Sequence, residues 1–226
     1  MHPISGPAPS APRATGPRLP RRIGFAGRAA TLEPLSQAHV DELWLAMDDA
    51  EDSWRYLNYG PFASRRALAE QVASLVSRSS PLYWAVRRHD SGRAEGWLSL
   101  CDWSLTDASL ELGGIWFGPA LQRTRAGTEA VFLLLRYVFE DLRFERLVWR
   151  SLTDNTRSLH AARRYGFRPE GIWRSAARVK GRRGDVAWHG LLAAEWPAQR
   201  ERLAGWLDER NFGADGRART PLALPL

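Results

Sequence analysis

At the centre of the chain stands the stretch Leu121-Gln122-Arg123-Thr124-Arg125-Ala126-Gly127-Thr128-Glu129-Ala130. A strand-like segment, residues 109–117, precedes it. Residues 128–142 follow with helical spacing of the apolar side chains Val131, Leu134, Leu135, Val138 and Leu142. Residues 146–151 are strand-like again. Because a strand, a helix and a strand in this order form a parallel crossover, the chain is predicted to have an α/β fold.

The same stretch has the features of an anion-binding loop. A helix N-terminus that follows a turn offers free main-chain N–H groups and the positive end of the helix dipole. Arg123 and Arg125 add positive charge, and Gly127 removes side-chain bulk. The pattern favours a bound phosphate group, but an ordinary turn with solvated arginines has the same spacing.

Outward from this crossover, the sequence alternates between strand and helix patterns. Further strands are predicted at residues 27–33, 82–87, 94–103, 167–179 and 185–193, and residues 94–103 and 109–117 are expected to form an antiparallel hairpin. Helices are predicted at residues 37–47, from Ser64 to before Pro81, and at residues 156–165 and 197–211. In the first of these helices, Val40, Leu43 and Leu45 are the residues expected to be buried.

Length and composition indicate one domain. The chain has 226 residues, of which 44% are hydrophobic, enough for one sizeable core. Residues 1–24 are predicted to be a disordered basic tail, residues 25–212 the domain, and residues 213–226 a flexible end. Residues 1–28 contain five arginines and no acid, so only two of the seven net positive charges belong to the rest of the chain. Nucleic-acid binding would therefore have to come from the tail and is not favoured.

The expected location is the cytoplasm, without membrane contact. The single cysteine, Cys101, excludes a disulfide within the chain and fits a reducing compartment. No window of the sequence has the roughly twenty apolar residues of a membrane helix. The five histidines and the cysteine form no cluster with ligand-like spacing, so no metal site is predicted.

Four segments of the sequence, residues 114–130, 155–171, 178–188 and 195–197, resemble GNAT-type N-acetyltransferases, particularly the RimJ/RimL-like branch. Residues 114–130, beginning Gly114-Ile115-Trp116-Phe117-Gly118-Pro119, are similar to the acetyl-CoA loop of that family. The second cofactor motif is matched by Asn155-Thr156-Arg157-Ser158, Ala161-Ala162-Arg163-Arg164-Tyr165-Gly166-Phe167 and Glu170-Gly171. Residues 178–188 and 195–197 add to the resemblance, which covers about residues 28–212. It implies a single domain with a splayed, mixed and mostly antiparallel sheet flanked by helices.

The resemblance also implies that acetyl-CoA is the cosubstrate and indicates which residues contact it. Main chain near Trp116 and Phe117 would pair with the pantetheine arm, which Asn155 and Ser158 would also approach. The pyrophosphate would bind to the loop residues Gln122, Arg123, Thr124, Arg125, Ala126, Gly127 and Thr128. Arg125 stands where the family's loop has its middle glycine, which leaves the backbone geometry of the loop open.

Acetyl transfer to an amine requires a base for the amine and an acid for the leaving thiolate. The position of the tyrosine that many family members use as the acid is Ala162 here, whereas the serine of the RimL-like branch corresponds to Ser158. The glutamate of that branch falls on Ala177, so Glu111 is the best base on chemical grounds. Ser158 could instead be a hydroxyl in the first turn of a helix, and Glu111 a salt-bridged acid on a strand.

The acceptor is predicted to be a primary amine, either a protein N-terminus or an amine of a small molecule. The aromatic residues Trp54, Tyr56, Tyr59 and Phe62 could form its pocket, or could pack a loop against the sheet. A monomer or a homodimer is expected. Because the family's tyrosine and glutamate are absent, a non-catalytic acyl-CoA-binding regulator remains the alternative to an enzyme.

Overall fold

The computed structural model describes residues 16–224, which form eight strands, five α-helices and several short turns of 3₁₀ or π helix. The strands are β1 (Phe25–Ala26), β2 (Ala30–Pro34), β3 (Leu82–Arg88), β4 (Ala94–Ser104), β5 (Ser109–Phe117), β6 (Arg146–Leu152), β7 (Arg168–Val179) and β8 (Arg182–Leu192). The helices are α1 (Val40–Leu45), α2 (Arg65–Val76), α3 (Arg125–Arg136), α4 (Thr156–Arg164) and α5 (Trp196–Leu207). None of these helices is long and apolar enough to cross a membrane.

All eight strands belong to one sheet in the order β1-β2-β3-β4-β5-β6-β8-β7. Neighbouring strands within residues 16–224 are antiparallel, except that β5 and β6 are parallel. The helix α3 connects these two strands, which is the crossover predicted from the central stretch. The prediction of one domain with a mixed, mostly antiparallel sheet flanked by helices is therefore confirmed.

The sheet opens into a wedge between β5 and β6. These strands are paired only where Ser109, Leu110 and Glu111 face residues 146–148, and they diverge beyond that point. A register shift distorts β5 near Gly114, which has a φ of 58°. A Cβ atom at Gly114 would lie 2.9 Å from both Ser99 Oγ and Tyr83 Oη, so this distortion requires glycine.

Side chains alternate between two cores, one on each face of the sheet. Leu110 and Leu112 of β5 pack into the larger core, which includes α3 and α5 and the α4 residue Ala162; we call this side the α3–α4 face. The second core contains α1 and α2, on the α1–α2 face. Leu45 of α1 is 61% exposed, so the prediction that it is buried was wrong. Val40 and Leu43, three positions apart, lie on the side of α1 that faces the sheet.

Both ends of the described region contact the domain. Residues 17–24 were included in the predicted disordered tail, yet the Arg18 N–H donates to Leu142 O at 2.8 Å and the Arg22 guanidinium donates to Val76 O at 3.0 Å. The remainder of that tail, residues 1–15, lies outside the described residues. Residues 213–224, expected to be flexible, fold back so that Thr220 O accepts a 2.9 Å hydrogen bond from Trp206 Nε1.

Candidate active site

A cavity of about 1080 Å³ occupies the wedge between β5 and β6. Its walls come from these two strands, from the N-terminal turns of α3 and α4, from residues 52–58 and from the inner side of the β7–β8 hairpin. Of the predicted site residues, those that line it are Tyr56, Glu111, Trp116, Phe117, Gln122, Arg123, Gly127, Thr128, Asn155 and Ser158.

The loop before α3 presents free main-chain donors. Thr124 caps the helix, because its Oγ1 accepts from the Gly127 N–H at 3.0 Å and donates to Leu121 O at 2.7 Å. Within residues 16–224, the N–H groups of residues 123–126 have no hydrogen-bond acceptor. A Cβ atom at Gly127 would lie 2.6 Å from Leu121 O, so only glycine lets the helix pack this closely on its loop. The arrangement fits an anion at a helix N-terminus.

The side chain of Arg125 points away from this cradle, although its main-chain N–H belongs to it. Its guanidinium donates to Leu207 O at 2.8 Å and lies 4.8 Å from the centroid of the Phe212 ring. Arg125 therefore fixes α3 to the C-terminal part of the chain. Thr124 and Ala126 do not line the cavity either, since Thr124 caps the helix and Ala126 contributes main chain. Arg123, with a φ of 61°, is the arginine of this loop that faces it.

Positive charge around the cavity also comes from α4. Arg157 and Arg164 line the cavity with Arg123, and none of the three forms a salt bridge in the part of the chain that the structure describes. The N-terminus of α4 is capped by Asn155, whose Oδ1 accepts from the Ser158 N–H at 3.2 Å. The N-terminus of α3 and three guanidinium groups that have no acidic partner among the described residues thus make the cavity suited to a ligand with several phosphates.

Ser158 has a defined hydroxyl orientation. The indole Nε1 of Trp149 on β6 donates to Ser158 Oγ at 2.9 Å. Because a hydroxyl has one proton and Trp149 supplies a donor, the hydroxyl proton of Ser158 is free to be donated into the cavity. On the opposite wall, the Phe117 carbonyl already accepts a hydrogen bond from Gln122 Nε2 at 2.8 Å.

Glu111 is buried, with 8% of the residue exposed, and its carboxylate forms an ion pair with Arg150. Burial raises the pKa of Glu111, while the hydrogen bond and the charge of Arg150 act against this increase. Arg150 also pairs with Asp102, and its guanidinium lies 5.1 Å from the centroid of the Trp188 ring. Since Leu110 and Leu112 point to the α3–α4 face, Glu111 and its partner lie on the α1–α2 face.

Cys101, Asp102 and Glu111 bring potential ligand atoms within 4.8 Å of one another, a cluster that sequence spacing did not suggest. The Arg150 guanidinium contacts both carboxylates of this cluster. Burial and the nearby Glu111 carboxylate raise the pKa of the Cys101 thiol well above its ordinary value. The cluster therefore consists of two carboxylates that share one arginine, beside a neutral thiol.

Of the four aromatic residues predicted to hold the acceptor, only Tyr56 lines the cavity. Trp54 is buried in the second core and stacks on Trp116 with 4.4 Å between ring centroids; Tyr59 and Phe62 pack against the same core. Tyr56 Oη instead donates to Asp154 O at 2.9 Å, and Lys180 Nζ from the hairpin tip donates to Trp54 O at 2.8 Å. These contacts connect residues 54–56 with Asp154 and with the tip of the β7–β8 hairpin across one side of the cavity.

Comparison with known proteins identifies the family. The sequence model of the acetyltransferase (GNAT) domain matches residues 30–168, more than half of the chain. The chain belongs to the GNAT acetyltransferase family. Members of this family transfer an acetyl group from acetyl-CoA to an amine, and the cradle formed by Gly127 and the free N–H groups of residues 123–126 fits the pyrophosphate of that cosubstrate.

Solved GNAT structures cover almost the whole fold. A GCN5-related N-acetyltransferase from Brucella melitensis is 38% identical, with a TM-score of 0.88 over 92% of this chain and 96% of that one. A GNAT-family protein from Chromobacterium violaceum is 34% identical, with a TM-score of 0.75 over 87% of this chain and 100% of that one.

A curated relative is more distant. YdaF of Bacillus subtilis (strain 168), provisionally named a ribosomal N-acetyltransferase, is 28% identical over 105 residues. The match covers 46% of this chain and only 57% of YdaF.

Sequence reasoning missed several cavity residues of this GNAT domain. Arg157 and Arg164 belong to the second cofactor motif, and the charge of Arg157 near a predicted helix N-terminus was a usable signal. Arg150 and Trp149 alternate on β6, and nothing local shows that one contacts Glu111 and the other Ser158. Such pairs depend on which strands and helices become neighbours.

Proposed function

We propose that this chain is an N-acetyltransferase of the RimJ/RimL-like branch that acetylates a primary amine by direct attack within a ternary complex. In this proposal Glu111 is the base and Ser158 the acid. The observation that carries it is that both residues line one cavity from opposite faces of the sheet. The wedge between β5 and β6 connects the two faces, so a cosubstrate and an acceptor can meet there.

The two sides of the cavity have different chemistry, which supports a division of roles. Acetyl-CoA supplies the thioester that an amine attacks, and its pyrophosphate would be held by the N-terminus of α3 and by Arg123. Glu111, when ionised, accepts the proton that the amine loses as the N–C bond forms. The Ser158 hydroxyl, oriented by Trp149, donates its proton toward the sulfur of the leaving thiolate.

The acceptor is either a protein N-terminus or the amine of a small molecule. YdaF is named a ribosomal N-acetyltransferase, which supports a protein as the acceptor. The proposed reaction is tested by calorimetry with acetyl-CoA, followed by release of free thiol with purified N-terminal peptides and small amines. We expect saturable acetyl-CoA binding and amine-dependent thiol release. Tight binding without turnover on any amine would instead identify a non-catalytic acyl-CoA-binding regulator.

Ser158→Ala is expected to lower kcat about a hundredfold and to change the acetyl-CoA Kd by less than about threefold, because general acids typically contribute at this scale. Trp149→Phe keeps the ring but removes the N–H that orients the hydroxyl, so we expect kcat to fall about tenfold. Steady-state assays of thiol release give kcat and calorimetry gives the acetyl-CoA Kd, so the two effects are measured separately.

Trp196→Phe is the matched control for Trp149→Phe. Trp196 is also buried, and its Nε1 donates to Glu140 Oε1 at 3.0 Å, but it does not line the cavity. Its kcat should match that of the unmodified protein. A kcat for Ser158→Ala within twofold of the unmodified value would remove Ser158 from the chemistry.

A further inference from the structure

Trp173 is a large aromatic side chain that lines the cavity and yet is 59% exposed. Its ring centroid lies 4.2 Å from that of Trp188 on the neighbouring strand, at an interplanar angle of 39°. The far side of Trp188 is covered by the guanidinium of Arg150. Because exposure of so much apolar ring surface is unfavourable in water, this pair of rings is suited to cover an apolar group of a ligand.

The rest of this wall is apolar and small. A register shift between Trp173 and Ala177, with Ser175 at a φ of 53°, turns both Ala176 and Ala177 toward the cavity. The Asp185 carboxylate holds this distortion by accepting from the Ser175 N–H at 2.7 Å. The alanines leave space beside the rings, and no acidic or hydroxyl side chain from the hairpin lines the cavity within the described residues.

Charge on the acceptor side is balanced. Two carboxylates, those of Asp52 and Glu111, and two guanidinium groups, those of Arg55 and Arg150, line it. Such a site has no net charge to select a polyamine or a strongly acidic substrate. Selection therefore depends on the apolar wall.

The aromatic wall also lies close to the proposed base. Arg150 contacts the Glu111 carboxylate on one side and the Trp188 ring on the other. An amine at Glu111 and an apolar group on Trp173 would thus share one cavity, with Arg150 and Trp188 between them.

We infer that the acceptor is a primary amine that carries a flat apolar group, such as an aromatic ring, which binds against the exposed ring of Trp173 in the wall that it forms with Trp188. This inference rests on the proposed function and adds the class of acceptor to it.

The test compares kcat/KM for 2-phenylethylamine, n-propylamine and a tripeptide with a free N-terminal alanine. We expect 2-phenylethylamine to exceed n-propylamine by at least about tenfold, as burial of a ring against that of Trp173 implies. Trp173→Ala should lower kcat/KM for 2-phenylethylamine about tenfold, change that for n-propylamine by less than twofold, and leave the acetyl-CoA Kd unchanged.

Ile172→Ala is the matched control, since Ile172 is the adjacent residue and is 60% exposed but does not line the cavity. It should leave all three kcat/KM values unchanged. Equal kcat/KM values for the ring-bearing and the alkyl amine, or equal effects of the two substitutions, would overturn the inference while leaving acetyl transfer intact. A complete lack of thiol release with every amine would overturn the proposed function itself.

Discussion

Replacement of Gly127 by tryptophan is expected to weaken acetyl-CoA binding at least about a hundredfold. Gly127 lines the cavity in the first turn of α3, where even a Cβ atom would lie 2.6 Å from Leu121 O. An indole at this position would fill the space beside the free N–H groups of residues 123–126 and push the helix away from its loop. Calorimetric titration with acetyl-CoA measures the loss.

Two further variants separate loss of the site from loss of the fold. Gly127→Ala adds only the close methyl group, so the affinity should fall less than with tryptophan, and a thermal melt should still show one cooperative transition. Gly205→Ala, within α5 and with open space around its Cβ, should leave affinity unchanged and stabilise the protein by about 0.5–1 kcal/mol. A Gly127→Trp protein that melts cooperatively and binds acetyl-CoA normally would contradict the position assigned to the cradle.

The order of strands and helices could be predicted because it depends on local periodicity. Val131, Leu134 and Leu135 are all buried, as their spacing indicated, and α3 begins three residues earlier than predicted because Thr124 caps it. The attachment of residues 17–24 to the domain by hydrogen bonds could not be predicted in the same way. Their hydrogen bonds reach residues such as Leu142 and Val76, which are far away in the sequence.

The cofactor side of the site could be predicted better than the acceptor side. A helix N-terminus with free N–H groups depends on a few consecutive residues, so the sequence of the loop was sufficient to predict it. The direction of Arg125 was not, because its partner Leu207 belongs to a helix some eighty residues away. Trp54 was a candidate for the acceptor pocket, with packing against the sheet as the alternative, and it is enclosed by Trp97 and Trp116, which only the register of β4 and β5 brings together.

Glu111→Gln should lower kcat about a hundredfold or more with little change in acetyl-CoA affinity. Glutamine keeps the size of the side chain and a hydrogen-bonding partner for Arg150, but it cannot accept a proton from the amine. Because burial raises the pKa of Glu111 above its ordinary value, activity of the unmodified protein should fall as the pH falls through that raised pKa. Rate measurements across pH should show that Glu111→Gln has lost this acid limb.

Arg150→Met tests whether Glu111 is the base, because it should move the acid limb of the pH–rate profile. Arg150 lowers the pKa of Glu111 by its hydrogen bond and charge, so its removal leaves burial unopposed and raises that pKa further. The acid limb should therefore move to higher pH, while titration of the acceptor amine is the same in every variant. Arg146→Met is the matched control, because Arg146 lies on the same strand with almost equal side-chain exposure, 35% against 34%, and pairs with Glu170 away from the cavity. If the acid limb stayed in place in Arg150→Met as it should in Arg146→Met, Glu111 could not be the base, because Arg150 is the cation that stabilises its ionised form.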